Sequence, residues 1–252
     1  MKIVVVNVNT SESMTRSIDI AAKRYASPGT EIVALQPAFG ADGVDCNFES
    51  YISAVGVMDR VMGYDLPYDG VVMAGFGEHG RDGLQELIDQ PVVEICEASA
   101  HIAMLIGRKY SVVTTLQRSV SAIEDRLKIS GLWDRCASVR ANGMTTQEVD
   151  HDPERAMRTI VEQARKAVEE DFAEVICLGC AGMAGLEEQI TSTLGVPVID
   201  GVGAAVQLVE TLVNLKLKTS KTLTYAKPDP KSITGWPFST NLKQQNLQSI
   251  AA

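Results

Sequence analysis

Two stretches of the chain carry the same order of apolar and polar positions. Val71–Gly77 reads Val-Val-Met-Ala-Gly-Phe-Gly, and Val175–Met183 reads Val-Ile-Cys-Leu-Gly-Cys-Ala-Gly-Met. Each is a short apolar run ending in small residues, as a buried strand does where it opens into a loop. Polar, helix-like stretches follow at Leu84–Ile88 and Leu186–Ile190. Each leads to a strand beginning at a proline, Pro91-Val92-Val93 or Pro197-Val198-Ile199. Laying one copy on the other sets Gly75 opposite Cys180. The pattern predicts a duplicated α/β unit facing itself across a cleft, with a thiol on one side only.

The same reading, extended along the chain, predicts further strands at Ile3–Val6, Glu31–Leu35, Val92–Ile95, Tyr110–Thr115 and Ala137–Arg140. Helices are expected from near Met14 (N-capped by Ser11 or Ser13), at Tyr51–Met62, Ala98–Arg108, Val120–Ser130, Pro153–Glu170 and Ala204–Leu215. Gly131 suits the position just past a helix end. The loop Gln36–Phe48 is long enough to border a site. Strands alternating with helices imply an α/β fold whose parallel sheets are covered on both faces. Residues 1–98 and 205–232 are expected to form lobe 1 and residues 99–204 lobe 2. The polar stretch 233–252 reads as a mobile tail.

Composition narrows the function classes. A net charge of −9 over 252 residues, with no basic stripe, argues against a nucleic-acid partner. No apolar run approaches the ~18 residues of a membrane span. The chain opens directly on the strand-like Lys2–Val6, so no secretory signal is expected. Five irregularly spaced cysteines fit a reducing cytoplasm better than a disulfide framework. These features point to a cytoplasmic protein acting on a small molecule.

In parallel α/β sheets, ligands sit outside the carboxyl ends of the strands. That rule nominates the loops Asn7–Thr10, Gly75–His79, Thr114–Leu116, Cys180–Met183 and Asp200–Gly203. Cys180 leads as the chemical group. A thiol at a strand end before a helix start meets positive backbone dipoles, which are expected to lower its pKa. The alternative is an inert, buried cysteine. Cys177 lies inside the strand and should face the core, and no second cysteine pair completes a zinc set. In Gly75-Phe76-Gly77-Glu78-His79-Gly80, either Glu78 or His79 could act as an acid or base, or both could simply cap the next helix. His101 reads as a packing residue and His151 as solvated. Asn9-Thr10 and Thr114-Thr115 offer uncharged hydrogen bonds to carbonyl or carboxylate oxygens. Phe39 and Phe48 are expected in the side-chain pocket.

Together these pieces resemble the hydantoin and allantoin racemases of the aspartate/glutamate racemase superfamily, over about Met1–Ser232. The carriers are Asn7-Val8-Asn9-Thr10, Tyr110–Leu116, Leu178–Met183, Val196–Gly201 and Thr219-Ser220-Lys221. The resemblance implies two Rossmann-like lobes related by a pseudo-twofold axis, with the active site between them. It also implies homo-oligomers and cofactor-independent, metal-free stereoinversion by two cysteines, one on each face of the substrate. By position Cys180 is the second-lobe cysteine. Asn9, Thr10, Gly75, Phe76, Thr114, Thr115, Ala181 and Gly182 would hold the substrate. The family motif similar to Cys-Phe-Gly-Asp-Pro-Gly reads Gly75–Gly80 here, and Val8 stands in place of the usual proline. Three readings follow. The first is a racemase in which Glu78 or His79 replaces the missing thiol. The second is a one-cysteine decarboxylase, lyase or isomerase resembling arylmalonate decarboxylase. The third is a binding protein without turnover. On the first, Gly75→Cys should raise racemisation if the cleft keeps the family geometry.

Overall fold

Strands β1 (Lys2–Asn7), β2 (Glu31–Leu35), β3 (Gly70–Ala74) and β4 (Val92–Glu94) form one parallel sheet in the order β2-β1-β3-β4. Strands β5 (Tyr110–Thr114), β6 (Cys136–Ala141), β7 (Val175–Leu178) and β8 (Val198–Ile199) form a second in the order β6-β5-β7-β8. Substituting β5–β8 for β1–β4 turns one order into the other. The repeat read from two sequence segments is therefore a repeat of whole sheets. This computed structural model describes residues 1–232, and the expected tail, 233–252, lies outside the described residues.

The central strands are continuous apolar runs because helices cover both of their faces. Ile3 and Val5 enter one core cluster, while Val4 and Val6 enter another. The first cluster also takes Val112 and Cys177 of the second sheet, so the two lobes share one core. Helices α1 (Glu12–Tyr25), α4 (Ile95–Ile106) and α9 (Gly201–Asn214) pack in this shared layer. On the outer faces lie α2 (Asn47–Met62) and α3 (Arg81–Leu87) for the first sheet, α7 (Pro153–Glu169) and α8 (Glu187–Leu194) for the second. Each fully buried Val, Ile or Leu contributes roughly 1.5–3 kcal/mol. A shared core of this kind holds the facing strand ends at a fixed separation, as a site between lobes requires. Cys177 is buried in it, as its place inside the strand predicts.

Several helices begin earlier than apolar spacing alone suggests, because polar caps set their ends. Glu49 accepts from the backbone N–H groups of Asp45 (2.7 Å) and Cys46 (3.0 Å), so α2 starts at Asn47 and carries Ser50. Glu94 accepts from the N–H groups of Cys96 and Glu97, so α4 starts at Ile95. This helix spans the expected lobe boundary at 98/99 and touches both sheets. The polar stretch before Pro153 contains a further helix, α6 (Thr146–His151), closed by a Thr145–Glu148 capping box. His151 is exposed there. His101 is a correction: it is exposed on α4, with Nδ1 2.7 Å from the Glu97 carbonyl, because the packed face of that helix falls on Ala98, Ser99, Ala100 and Ala103. Helix α5 (Val120–Ile129) completes the cleft wall. Among the described residues no helix is long and apolar enough to cross a membrane.

Candidate active site

The carboxyl ends of β1, β3, β5 and β7 open into one cavity of about 660 Å³. Asn7, Asn9, Gly75, Phe76, Glu78, His79, Thr114, Thr115, Cys180, Ala181 and Gly182 all line it. Thr10 does not: its backbone is tied to Ala41 and Gln36, which turns the chain away from the cleft. The loop Asp200–Gly203 is also outside, its amides held by the start of α9. Phe39 and Phe48 are absent from the walls, and Phe48 is 71% exposed. The early start of α2 takes Phe48 into its exposed first turn, and Val44 and Tyr51 line that side.

Cys180 caps the short 3-10 turn Ala181–Met183, and its Sγ accepts the Gly182 N–H at 3.4 Å. That hydrogen bond favours the thiolate, as the sequence suggests. Burial outweighs it and, with the nearby Asp45 and Asp150 carboxylates, pushes the thiol up to about 11. The expected lowering is therefore corrected, and the resting side chain is a protonated thiol. Both aspartates are engaged across the lobes. Asp45 accepts from the Thr146 hydroxyl (2.7 Å), and Asp150 accepts from the Ser13 hydroxyl (2.6 Å).

On the facing loop, Gly75 follows β3 as Cys180 follows β7 and Gly179. A β-carbon built at Gly75 would fall 2.5 Å from Val8 Cγ1 and 2.6 Å from His79 Cδ2. Those two side chains fill the place of a first-lobe side chain. The turn needs glycine at position 80, where φ is +95° and a β-carbon would sit 2.9 Å from the Ala54 carbonyl oxygen. This tight packing fixes His79 beside α2.

The model of the Asp/Glu/Hydantoin racemase family matches residues 3–209. The chain is similar to a hydantoin racemase from Pseudomonas sp. (strain NS671), 39% identical over 93% of this chain and 95% of that protein. Among solved structures it is similar to an allantoin racemase from Pseudomonas fluorescens, with 61% identity and a TM-score of 0.92 over 93% of this chain and all of the other. An allantoin racemase from Klebsiella pneumoniae matches at 39% identity and TM-score 0.91, over 94% of this chain and all of that one. The chain belongs to the Asp/Glu/Hydantoin racemase family.

Within this racemase-family site, the polar walls divide into tied and free groups. Asn7 is fully occupied: its amide donates to Asn9, Ser11 and Thr15 and its oxygen accepts from the Asn9 N–H. It builds the loop that carries Asn9. The Thr114 hydroxyl donates to the Gly179 carbonyl at 3.2 Å, so it braces the cysteine turn. The Thr115 hydroxyl, on a buried residue, finds no partner among the described residues and is free for a ligand oxygen.

Glu78 behaves as a helix cap. Its Oε1 accepts from the N–H groups of Gly80 (3.0 Å) and Asp82 (3.3 Å), and its Oε2 lies 3.6 Å from Arg126. Burial and Asp82 raise its pKa, opposed by Arg126. Arg126 was not among the residues singled out from the sequence. It reaches from α5 to Glu97 (2.7 Å) and Glu94 (3.5 Å), linking the lobes at the cavity edge. An arginine between Ile123 and Leu127 on an apolar helical stripe was the available signal. Ser50, hidden by the misplaced start of α2, also lines the cavity. Among the described residues no cluster of three or more His, Cys, Asp or Glu could hold a metal ion.

Proposed function

We propose that this protein racemises hydantoin-type rings, allantoin or a 5-substituted hydantoin, without a cofactor. The observation that carries the reading is Cys180, a thiol at the mouth of β7 that lines one cleft with the pseudo-symmetric β3 loop. The C5 hydrogen of such a ring is acidified by the adjacent carbonyl. Removing it from one face leaves an enolate-like charge on the carbonyl oxygen, and returning a proton to the other face inverts the centre. Cys180 serves one face as acid or base, and the Gly75–Gly80 loop serves the other through Glu78 or His79. Thr115 and Asn9 are side-chain donors available to the developing oxygen charge.

Decarboxylation with a single acid needs no proton-transferring group on the second wall. The presence of titratable side chains there, Glu78 and His79, favours racemisation. The same reading includes a homo-oligomer in the cytoplasm, supported by five free cysteines and by the exposed Leu105 and Ile106.

The test is proton NMR in D₂O with each enantiomer of allantoin and of a 5-substituted hydantoin, followed in parallel by polarimetry. A no-enzyme blank accounts for unaided racemisation. Enzyme-dependent deuterium uptake with loss of rotation is expected, and Cys180→Ser should reduce it by ~10²–10⁴-fold. No enzyme-dependent exchange with any of these substrates, or near-normal activity in Cys180→Ser, overturns the reading.

A further inference from the structure

The fold repeats itself, yet its two cavity loops do not present equivalent side chains: Cys180 has only Gly75 as its counterpart. The space is not empty. The imidazole of His79, four residues on, lies within 2.6 Å of where a β-carbon at Gly75 would stand, and the ring lines the same cavity as Cys180. Of the two titratable groups in this loop, Glu78 is committed to capping α3 and to Arg126. Among the described residues, the His79 ring makes a single hydrogen bond, between its Nδ1 and Ser50 Oγ at 2.9 Å.

That contact has a direction. The Ser50 hydroxyl has a single proton, and it donates to the Glu78 carbonyl at 3.2 Å, a group that can only accept. With the Ser50 proton on the Glu78 side, the ring donates the Nδ1···Oγ bond. Nδ1 carries the hydrogen, and Nε2 is left with its lone pair and no protein partner among the described residues. In that arrangement the chain Glu78 carbonyl–Ser50–His79 orients the imidazole as an orienting partner does for other basic imidazoles.

We propose that His79, through Nε2, is the acid/base of the first lobe, opposite Cys180, and that Ser50 is the positioning residue that sets its tautomer. The proposal rests on the racemase reading of Cys180 given above. In one direction Nε2 takes the C5 proton, and the C–H electron pair moves into the ring towards the carbonyl oxygen. The Cys180 S–H bond breaks as its proton forms the new C5–H bond on the other face. The products are the opposite enantiomer, an imidazolium and a thiolate, which is the form that runs the reverse reaction. Total protons and charge are conserved, and no co-reactant is needed. The two side chains enter this cycle as a neutral pair. Burial together with Arg126 lowers the imidazole to about 4, and burial holds the thiol protonated.

The decisive variant is His79→Gln, with Ser50→Ala as its companion and circular dichroism to verify folding. Racemisation by His79→Gln should fall by ~10²–10⁴-fold with KM little changed. Exchange in D₂O should persist for only one enantiomer, with its rotation retained, because Cys180 still works its own face. Ser50→Ala keeps the ring and removes only its partner, so it reports independently of how His79→Gln folds. Its kcat should fall by ~10-fold, about the loss of one hydrogen bond, and the acid limb of its pH profile should shift. Racemisation by folded His79→Gln within a few-fold of the parent, or an unaltered rate and acid limb in Ser50→Ala, overturns the assignment. Either result alongside an active parent leaves the racemase reading intact. An inactive parent removes both.

Discussion

The side chain of Val8 occupies the position that a β-carbon on Gly75 would need, with Cγ1 2.5 Å from that point. Val8 ends the β1 side of the cleft and Gly75 ends β3, so two adjacent strands settle between them which residue fills the first-lobe wall. With His79 pressing from the other side, the missing side chain at Gly75 is part of a three-residue arrangement.

This reverses the expectation that Gly75→Cys raises racemisation. Valine is short and stiff at χ1, so it cannot swing aside as a long side chain would. Overpacking of this kind typically costs about 1–3 kcal/mol. Gly75→Cys should lower Tm and reduce turnover by displacing His79. Adding Val8→Ala should recover part of the stability. Thermal melts of the single and double variants check this, and a Gly75→Cys protein as stable as the parent contradicts it.

The pH profile follows from the two shifted groups. His79, facing Arg126 and Ser50, must be neutral to accept a proton, and its pKa is lowered to about 4. Activity should fall only as pH drops through that value. Cys180, facing Asp45 and Asp150, must hold its proton in the same enzyme form and is raised to about 11. Activity should fall again as pH rises through that value. Initial rates of kcat/KM corrected for unaided racemisation should therefore be flat across neutral pH. An alkaline limb near the ordinary thiol pKa of about 8.5 speaks against the buried thiol.

Arg126→Met leaves the buried carboxyl of Glu94 without its cation. Breaking a buried ion pair from one side costs roughly 3–5 kcal/mol. Burial already raises Glu94 to about 7 in the intact protein, with Arg126 opposing the shift. A raised carboxyl favours folding when protonated, so its contribution is full at low pH and is lost as pH rises through the folded pKa. The variant should consequently be closer to the parent at pH 5 than at pH 8 in urea melts. A loss independent of pH would place the cost elsewhere.

Thr114 and Thr115 are neighbours with different work. Thr114→Val removes the brace to the Gly179 carbonyl, which should cost about 0.5–1.5 kcal/mol of stability. Thr115→Val removes a hydroxyl free to meet the substrate and should lower kcat/KM by ~3–10-fold at nearly unchanged Tm. Equal effects of the two on activity would contradict this division.

The sequence alone determined the duplicated α/β plan, the parallel sheets and the place of Cys180. These rest on local information: apolar runs covered on both faces, proline-led second strands and small residues at strand ends. Some features missed were still local. The Thr145–Glu148 box announced α6, and Glu49 set the start of α2 and so exposed Ser50 to the cavity. Others were decided only by tertiary structure. The thiol of Cys180 is raised because burial and two carboxylates from distant segments outweigh one amide, and no neighbouring residue encodes that balance. Thr10 and Phe48 sit near the site in sequence but leave its walls, because loop hydrogen bonds turn the first away and an earlier helix start the second; Phe39 also lies outside the walls. Arg126 acquires its place from an ion pair that exists only once the two halves have packed, and His79 from Val8 and Ser50, distant in sequence but brought to the same wall by the first sheet and its helix.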